Sequence, residues 1–401
     1  MKDISEKKHI IRTIILICFL CLVSPADILA GSLNNVKKLV GKKDAILVAD
    51  PQGNILLSKN ADKNLIPAST LKILTSLAAM HHLGKDFRFV TEFYTDRNSN
   101  LKIKGYGDPL LISEAIAEIS ENLSKKITGY TDLILDHSYF DPVMIPGVTT
   151  TLNPYDAPNG ALCANYNTVY FKREKGSYTS AEPQTPLLPF ALKKIRKYGL
   201  KKERVTFARE QDEITYYAGH LFQYFLEKEG VKSGGSIRIG EVDKDNDTLI
   251  FKYVSRFSIE EVISKLLEFS NNFIANQMLV ATGAKVYGPP GTLEKGVQAA
   301  SAYADKVLKP GVVRITEGSG ISRENRISAK NMYKLLEIFE PYHTLMKHEG
   351  REFYKTGSLT GVKTRAGYVE NQKGELYCFV VLVNTPRKST SRIMSALLKA
   401  L

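Results

Sequence analysis

Cysteine is scarce in this chain: there are four, and two of them, Cys18 and Cys21, fall in an N-terminal stretch that reads as a removable leader. The remaining pair, Cys163 and Cys378, is too small and too widely spaced to form a disulfide framework, and it matches no metal-ligand spacing. The expectation is two free thiols. Histidine is sparse as well, seven in all, with only His81 and His82 adjacent; that doublet reads as a solvated pair at a helix end, not a metal site. No repeat of fixed period and no low-complexity tract is present, which argues against a solenoid or a disordered chain. A long hydrophobic run is missing too. The apolar stretch Ile14 to Val23 is too short to span a bilayer comfortably and no stop-transfer pattern follows.

What is present is ordinary for a globular protein with a sizeable core: 401 residues, 43% hydrophobic and 24% charged. Lys7, Lys8 and Arg12 precede the apolar stretch, and Pro25, Ala26 and Ala30 follow it, the layout of a secretory signal peptide over residues 1–30. The predicted location is therefore outside the cytoplasmic membrane, in the periplasm or against the cell wall, with no integral membrane span in the mature chain. The alternative is retention of the leader as an N-terminal anchor. The net charge of +13 favours anionic partners. The lysines look dispersed along the chain, so a solvated basic surface is expected, and export argues against nucleic acid.

Residues 44–60 read as two strands around a Pro-Gln-Gly-Asn turn. Leu71, Leu74, Leu77 and Ala78 then recur at helical spacing, predicting a helix from Ser69 to His82 that ends at Gly84. From 96 to 255 the pattern changes to short mixed segments, read as an inserted domain. A helix over Ile259 to Val280, further helices at Leu293–Val307 and Ala329–Phe339, and strands over 363–370 and 375–384 follow. Strands at both ends with helices between predict an α+β catalytic domain made of 31–95 and 256–401, with 96–255 inserted.

Acyl transfer by a serine needs a base within hydrogen-bond reach of its hydroxyl. Ser-x-x-Lys supplies one on a helix, where residues three apart share a face. The pattern occurs at Ser5, Ser69 and Ser99. Ser5 lies in the leader and Ser99 in a polar turn; only Ser69 stands at a strand-to-helix junction, with Lys72 one turn on. Alone, Ser69 reads more readily as a helix N-cap. Ser-x-Asn occurs at Ser32, Ser58, Ser120 and Ser270, and only Ser270-Asn271-Asn272 interrupts a buried helix. A hydroxyl and an amide there could relay a proton and hold a substrate amide. Lys-Thr-Gly occurs once, at Lys355-Thr356-Gly357, followed by Ser358; Lys232-Ser233-Gly234 is a loose competitor in the wrong order. A lysine and hydroxyls on a strand edge suit a terminal carboxylate, and glycine lets a substrate backbone approach closely.

Three motifs in this order, each on a fitting element, are the set shared by β-lactamases and penicillin-binding proteins. The stretches Gly105–Leu111 (GYGDPLL), Tyr155–Asn167 (YDAPNGALCANYN), Ala181-Glu182-Pro183, Glu317–Arg323 (EGSGISR) and Lys355–Tyr368 (KTGSLTGVKTRAGY) extend the likeness over nearly all of the mature chain. Together they resemble the D-alanyl-D-alanine carboxypeptidase/endopeptidase family of low-molecular-mass penicillin-binding proteins, whose large insertion follows the Ser-x-x-Lys helix. The chain departs from that family in three places. Ser270 follows Ser69 by only 201 residues, the segment before Tyr155 lacks a tryptophan-rich stretch, and Glu317 stands where the family usually has Asp.

The resemblance implies a β-lactamase/transpeptidase-like fold and a serine-type D-Ala-D-Ala carboxypeptidase needing no metal or organic cofactor. Ser69 would attack the carbonyl between the terminal D-alanines of a peptidoglycan stem peptide, and Lys72, kept neutral by Lys355 and burial, would take its proton. Backbone N–H groups of Ser69 and Ser358 would form the oxyanion hole. Ser270 would protonate the departing amine and Asn272 would position Lys72 and the substrate amide. Lys355, Thr356 and Ser358 would hold the terminal carboxylate, with Gly357 giving room. Penicillin and other β-lactam antibiotics would acylate Ser69. A DD-endopeptidase, a β-lactamase, and a non-catalytic wall-binding or β-lactam-sensing protein are the alternatives.

Overall fold

The computed structural model describes residues 25–149, 151–197, 199, 201–206 and 210–401. Asp44–Ala49 is buried at every position, as expected for a strand covered on both faces. It pairs antiparallel with Leu376–Val383, Ile46 opposite Val381 and Val48 opposite Phe379, and with Ile55–Lys59. The complete sheet has six strands, in the spatial order 347–349, 352–359, 362–370, 376–383, 44–49, 55–59. On one face Ile46, Val48, Phe379, Val381 and Val383 pack with Leu33 and Val36 of the helix Pro25–Lys38 and with Ile393, Met394 and Leu397 of the helix Ser391–Ala400. On the other face Leu47, Ala49, Val380 and Leu382 join the main core with Leu74 and Leu77 of the helix Lys72–Leu83 and with Met332 and Leu336 of the helix Ala329–Phe339. The result is the expected α+β arrangement, a sheet between two helical layers.

Two expectations need correction. Four strands, not two, precede the last helix: a short one over Lys347–Glu349 is added, and Lys355-Thr356-Gly357 lies in the middle of a strand of its own, Glu352–Leu359. The helix expected over Ile259 to Val280 is two: Ile259–Phe269, started by a Ser258–Glu261 capping box, and Asn272–Tyr287. Between them Ser270 takes a left-handed conformation (φ 54°, ψ 37°), and the Asn271 side chain accepts from the Ile274 N–H to start the second helix.

The middle of the chain builds a five-stranded sheet in the order 237–239, 133–136, 101–105, 88–95, 248–258, and a three-stranded sheet in the order 177–180, 168–174, 202–206. Strand pairing runs across the expected insertion boundaries: Arg88–Thr95 pairs along Thr248–Ser258, Val90 opposite Val254. The helix Pro25–Lys38 likewise starts inside the expected leader span, whereas the basic and apolar run from Lys7 to Val23 lies outside the described residues. No helix among the described residues is long and apolar enough to cross a membrane. Cys163 and Cys378 are both free and buried. Burial pushes the Cys163 thiol up to about 12 and raises that of Cys378 as well, so neither is a nucleophile near neutral pH.

Candidate active site

Ser69 sits in a short 3₁₀ turn, Ala68–Leu71, that runs directly into the helix Lys72–Leu83. It makes no capping hydrogen bond, so the N-cap reading fails and its hydroxyl is free for other work. The turn is held from outside. The Pro67 carbonyl accepts from Thr70 Oγ1 and from Thr364 Oγ1, both at 2.7 Å. Two glycines close over the turn: a Cβ on Gly320, whose φ is 83°, would fall 1.9 Å from the Ala68 carbonyl oxygen, and a Cβ on Gly357 would fall 2.7 Å from the Ser69 nitrogen. Any side chain at either position would displace the nucleophile.

Lys72 is buried completely. Its Nζ lies 3.1 Å from Ser69 Oγ, 2.8 Å from Asn272 Oδ1 and 2.7 Å from the Ser319 carbonyl oxygen. A neutral amine has two N–H donors and one lone pair. With the donors given to Asn272 and Ser319, the lone pair is left for the Ser69 hydroxyl. Burial is the main force pulling this lysine well below its ordinary pKa, with the Lys355 charge second and Glu317 opposing both.

Asn272 therefore touches the base directly, and its Nδ2 also donates to the Tyr155 carbonyl at 3.4 Å. Ser270 lines the same cleft but makes no side-chain hydrogen bond among the described residues. The cleft, about 1080 Å³, is also lined by Ser69, Asn272, Thr356 and Ser358. Lys355 lies behind this wall, buried, with Nζ on the Thr356 carbonyl at 2.9 Å and no ion-pair partner among the described residues. Burial first, and Lys347 second, push it down to about 8, so it still carries most of a positive charge at neutral pH. At the rim, the exposed Lys363 donates to Ser358 Oγ at 3.1 Å, a second cation beside the strand edge. All eight residues singled out from the sequence thus converge on one site. No cluster of metal-ligating side chains occurs among the described residues.

A model of the D-Ala-D-Ala carboxypeptidase 3 (S13) family matches residues 27–348 and 344–401. The chain belongs to that family. A D-alanyl-D-alanine carboxypeptidase of Actinomadura sp. is 26% identical over 86% of this chain and 78% of its own length. The D-alanyl-D-alanine carboxypeptidase DacB of Haemophilus influenzae is 23% identical over 83% of each chain. The crystal structure of penicillin binding protein 4 (DacB) from that organism superposes with a TM-score of 0.70 at 20% identity, covering 89% of this chain and 94% of that one. Its complex with a β-lactam gives 0.65 at 21% identity, covering 89% and 93%. As a member of the S13 family this chain is a D-Ala-D-Ala carboxypeptidase, a peptidase in enzyme class.

In this S13 member one functional group escapes a reading based on three short motifs. Glu317 is fully buried and has no lysine or arginine within ion-pair distance among the described residues. Its carboxylate is instead saturated by donors: the Ser319 N–H and hydroxyl at 2.6 Å each, the Gly320 N–H and Asn325 Nδ2 at 2.7 Å each, and Asn276 Nδ2 at 3.2 Å. This ties the 317–325 loop into a knot that aims the Ser319 carbonyl at Lys72 and seats Gly320 against the nucleophile turn. The legible signal was an acid set among Gly and Ser with no basic neighbour for five residues on its C-terminal side, the composition of a loop wound around a carboxylate.

Proposed function

We propose that the chain is an exported serine D-Ala-D-Ala carboxypeptidase that trims peptidoglycan stem peptides through an acyl-enzyme on Ser69. The 3.1 Å contact between the Ser69 hydroxyl and Lys72, whose pKa burial pulls well down, carries this reading. Ser69 Oγ attacks the penultimate D-Ala carbonyl as its proton passes to Lys72 Nζ. The oxyanion faces the backbone N–H groups of Ser69 and Ser358, which the Gly357 close approach brings near each other. The proton taken up by Lys72 is relayed through Ser270 to the nitrogen of the terminal D-Ala as the C–N bond breaks, while Thr356 and Ser358 hold its carboxylate and the buried Lys355 behind them supplies positive charge. Water then attacks the ester carbonyl, the acyl group leaves as the free acid, and Ser69 regains its proton. Penicillin, an acyl donor with a carboxylate in the same place, follows the first half of this path and stays attached. The basic-then-apolar leader supports action outside the cytoplasmic membrane, in the periplasm or at the wall.

A second reading, DD-endopeptidase, is favoured by one observation. Beyond Ser358 the cleft continues past Leu359 to Lys363 and to Arg387–Ser389, leaving more space than a single alanine fills. Incubation with purified muropeptides, monomeric pentapeptide and cross-linked dimer side by side, separates the two. Release of free D-Ala from the pentapeptide is expected. Opening of the dimer as the faster reaction would replace the carboxypeptidase reading with the endopeptidase one, and turnover of neither would refute both.

A further inference from the structure

The three-stranded sheet and the helix Pro189–Arg196 carry a charge imbalance found in no catalytic role. Between residues 168 and 206 stand ten lysines and arginines against three glutamates, more than half of the net charge of the whole chain. Folding brings four of them, Lys172, Arg173, Lys201 and Lys202, together at one end of this lobe. Lys172 is directly opposite Lys202 in the strand register, a like-charge pair that Glu174, 3.1 Å from the Lys172 Nζ, offsets on one side only. The Arg173 N–H donates to the Lys201 carbonyl, which puts those two residues side by side. Lys175 follows in the hairpin turn beyond Arg173, and the helix ends at Arg196 and Lys197, four residues before Lys201. Arg173, Lys175, Arg196, Lys197, Lys201 and Lys202 are all exposed, and none forms an ion pair among the described residues. Aromatic rings carry some of the stems: Arg173 lies 5.3 Å from the Tyr178 ring and Lys202 5.8 Å from that of Tyr170.

The same lobe is joined to the rim of the cleft. The Thr206 N–H, at the other end of the Lys202–Thr206 strand, donates to the Leu152 carbonyl at 3.0 Å, next to Asn153, Tyr155 and Asp156 on the cleft wall. Four residues of strand separate Thr206 from Lys202, roughly 13 Å at the usual rise. The cationic end thus stands about one short strand away from a segment of the cleft wall, within reach of a polymer longer than a single stem peptide. Exposed large hydrophobic side chains lie on other parts of the chain, such as Met144, Leu249 and Phe269, so this end has charge without an apolar wedge for a membrane.

We propose that this cationic end is a second, non-catalytic foothold on the peptidoglycan polymer, binding the free carboxylates of stem peptides neighbouring the one in the cleft. The proposal rests on the carboxypeptidase reading for its occupant. Binding at two points on one polymer raises the local concentration of cleavable ends by an effective-concentration gain that soluble peptides cannot show. It also weakens with salt, since exposed charges are screened beyond about 8 Å at physiological ionic strength.

The test uses the full chain and a variant with Lys175, Arg196, Lys197, Lys201 and Lys202 all changed to Gln. Cosedimentation with purified peptidoglycan sacculi is measured at low and high salt, beside turnover of a soluble pentapeptide and acylation by penicillin. The expected result is at least a tenfold loss of sacculus binding and of D-Ala release from sacculi, with soluble turnover and penicillin acylation unchanged. The wild type should also lose binding to sacculi whose carboxyl groups have been amidated. Undiminished pelleting of the variant, or equal binding to amidated sacculi, overturns the proposal. So does binding to anionic phospholipid vesicles without binding to sacculi, which would make a lipid surface the partner. Failure of soluble turnover in the wild type would instead strike the carboxypeptidase reading and leave the binding result standing on its own.

Discussion

Lys72→Arg is expected to reduce acylation by both penicillin and peptide by roughly 10²–10⁴-fold, the usual cost of losing a general base. Guanidinium keeps the charge but stays protonated at any working pH, so it offers Ser69 no lone pair. The site contains no substitute, because the other groups touching Lys72 Nζ besides Ser69 are an amide oxygen and a backbone carbonyl. Lys355→Arg should behave differently. That lysine touches no nucleophile, and among the described residues its Nζ donates to the Thr356 carbonyl. Retaining the positive charge with altered geometry should preserve partial activity and weaken the apparent affinity for peptides that end in a carboxylate, with little change for their amidated analogues. Acylation rates of both variants against the two peptides check the division of labour. Substantial activity in Lys72→Arg together with none in Lys355→Arg would reverse the roles.

Glu317→Gln should lower acylation strongly and also move its pH dependence. The amide keeps one acceptor oxygen and turns its NH₂ towards N–H donors, so at least one buried donor loses its partner at about 1–3 kcal/mol. That loosens the loop holding the Ser319 carbonyl and Gly320, and the rate falls. The charge acts separately. Glu317 raises the pKa of Lys72 against the lowering by burial and Lys355, and the neutral amine is the reactive form. Removing the anion therefore lowers the Lys72 pKa further, and the acid limb of the acylation profile shifts to lower pH. A residue that only shaped the loop would reduce the plateau and leave the limb where it was. Glu317→Asp keeps the anion and should keep the wild-type limb even if its plateau drops. A limb that does not move in Glu317→Gln contradicts the electrostatic part of this account.

Much of the site was legible because the motifs are local and their order is informative. Ser69 and Lys72 share a helical face, a relation visible at a spacing of three. The glycine of Lys-Thr-Gly announces a close approach, which the structure realises against the Ser69 nitrogen. What stayed hidden depends on contacts between distant segments. The 247-residue separation of Lys72 from its Ser319 acceptor leaves no periodic trace. The break at Ser270 was hidden because apolar residues resume directly after it in a helix buried on all sides, while the left-handed turn and the Asn271 cap interrupt only the backbone. The cationic lobe shows in the sequence only as an excess of Lys and Arg between 168 and 206, and strand register alone sets Lys172 against Lys202. The boundaries of the middle region were drawn at changes of composition, but hydrogen bonding along 88–95 and 248–258 takes no account of composition.

The central claim is that Ser69, and no other serine, is the acylated nucleophile. Ser69 alone has Lys72 Nζ at 3.1 Å, with both of that amine's donors occupied elsewhere. Peptide mapping by mass spectrometry after brief exposure to a labelled penicillin tests it most directly. The account predicts one adduct per chain, on the peptide containing Ser69, absent from Ser69→Ala. An adduct on Ser99 or Ser270 with Ser69 unmodified would contradict it.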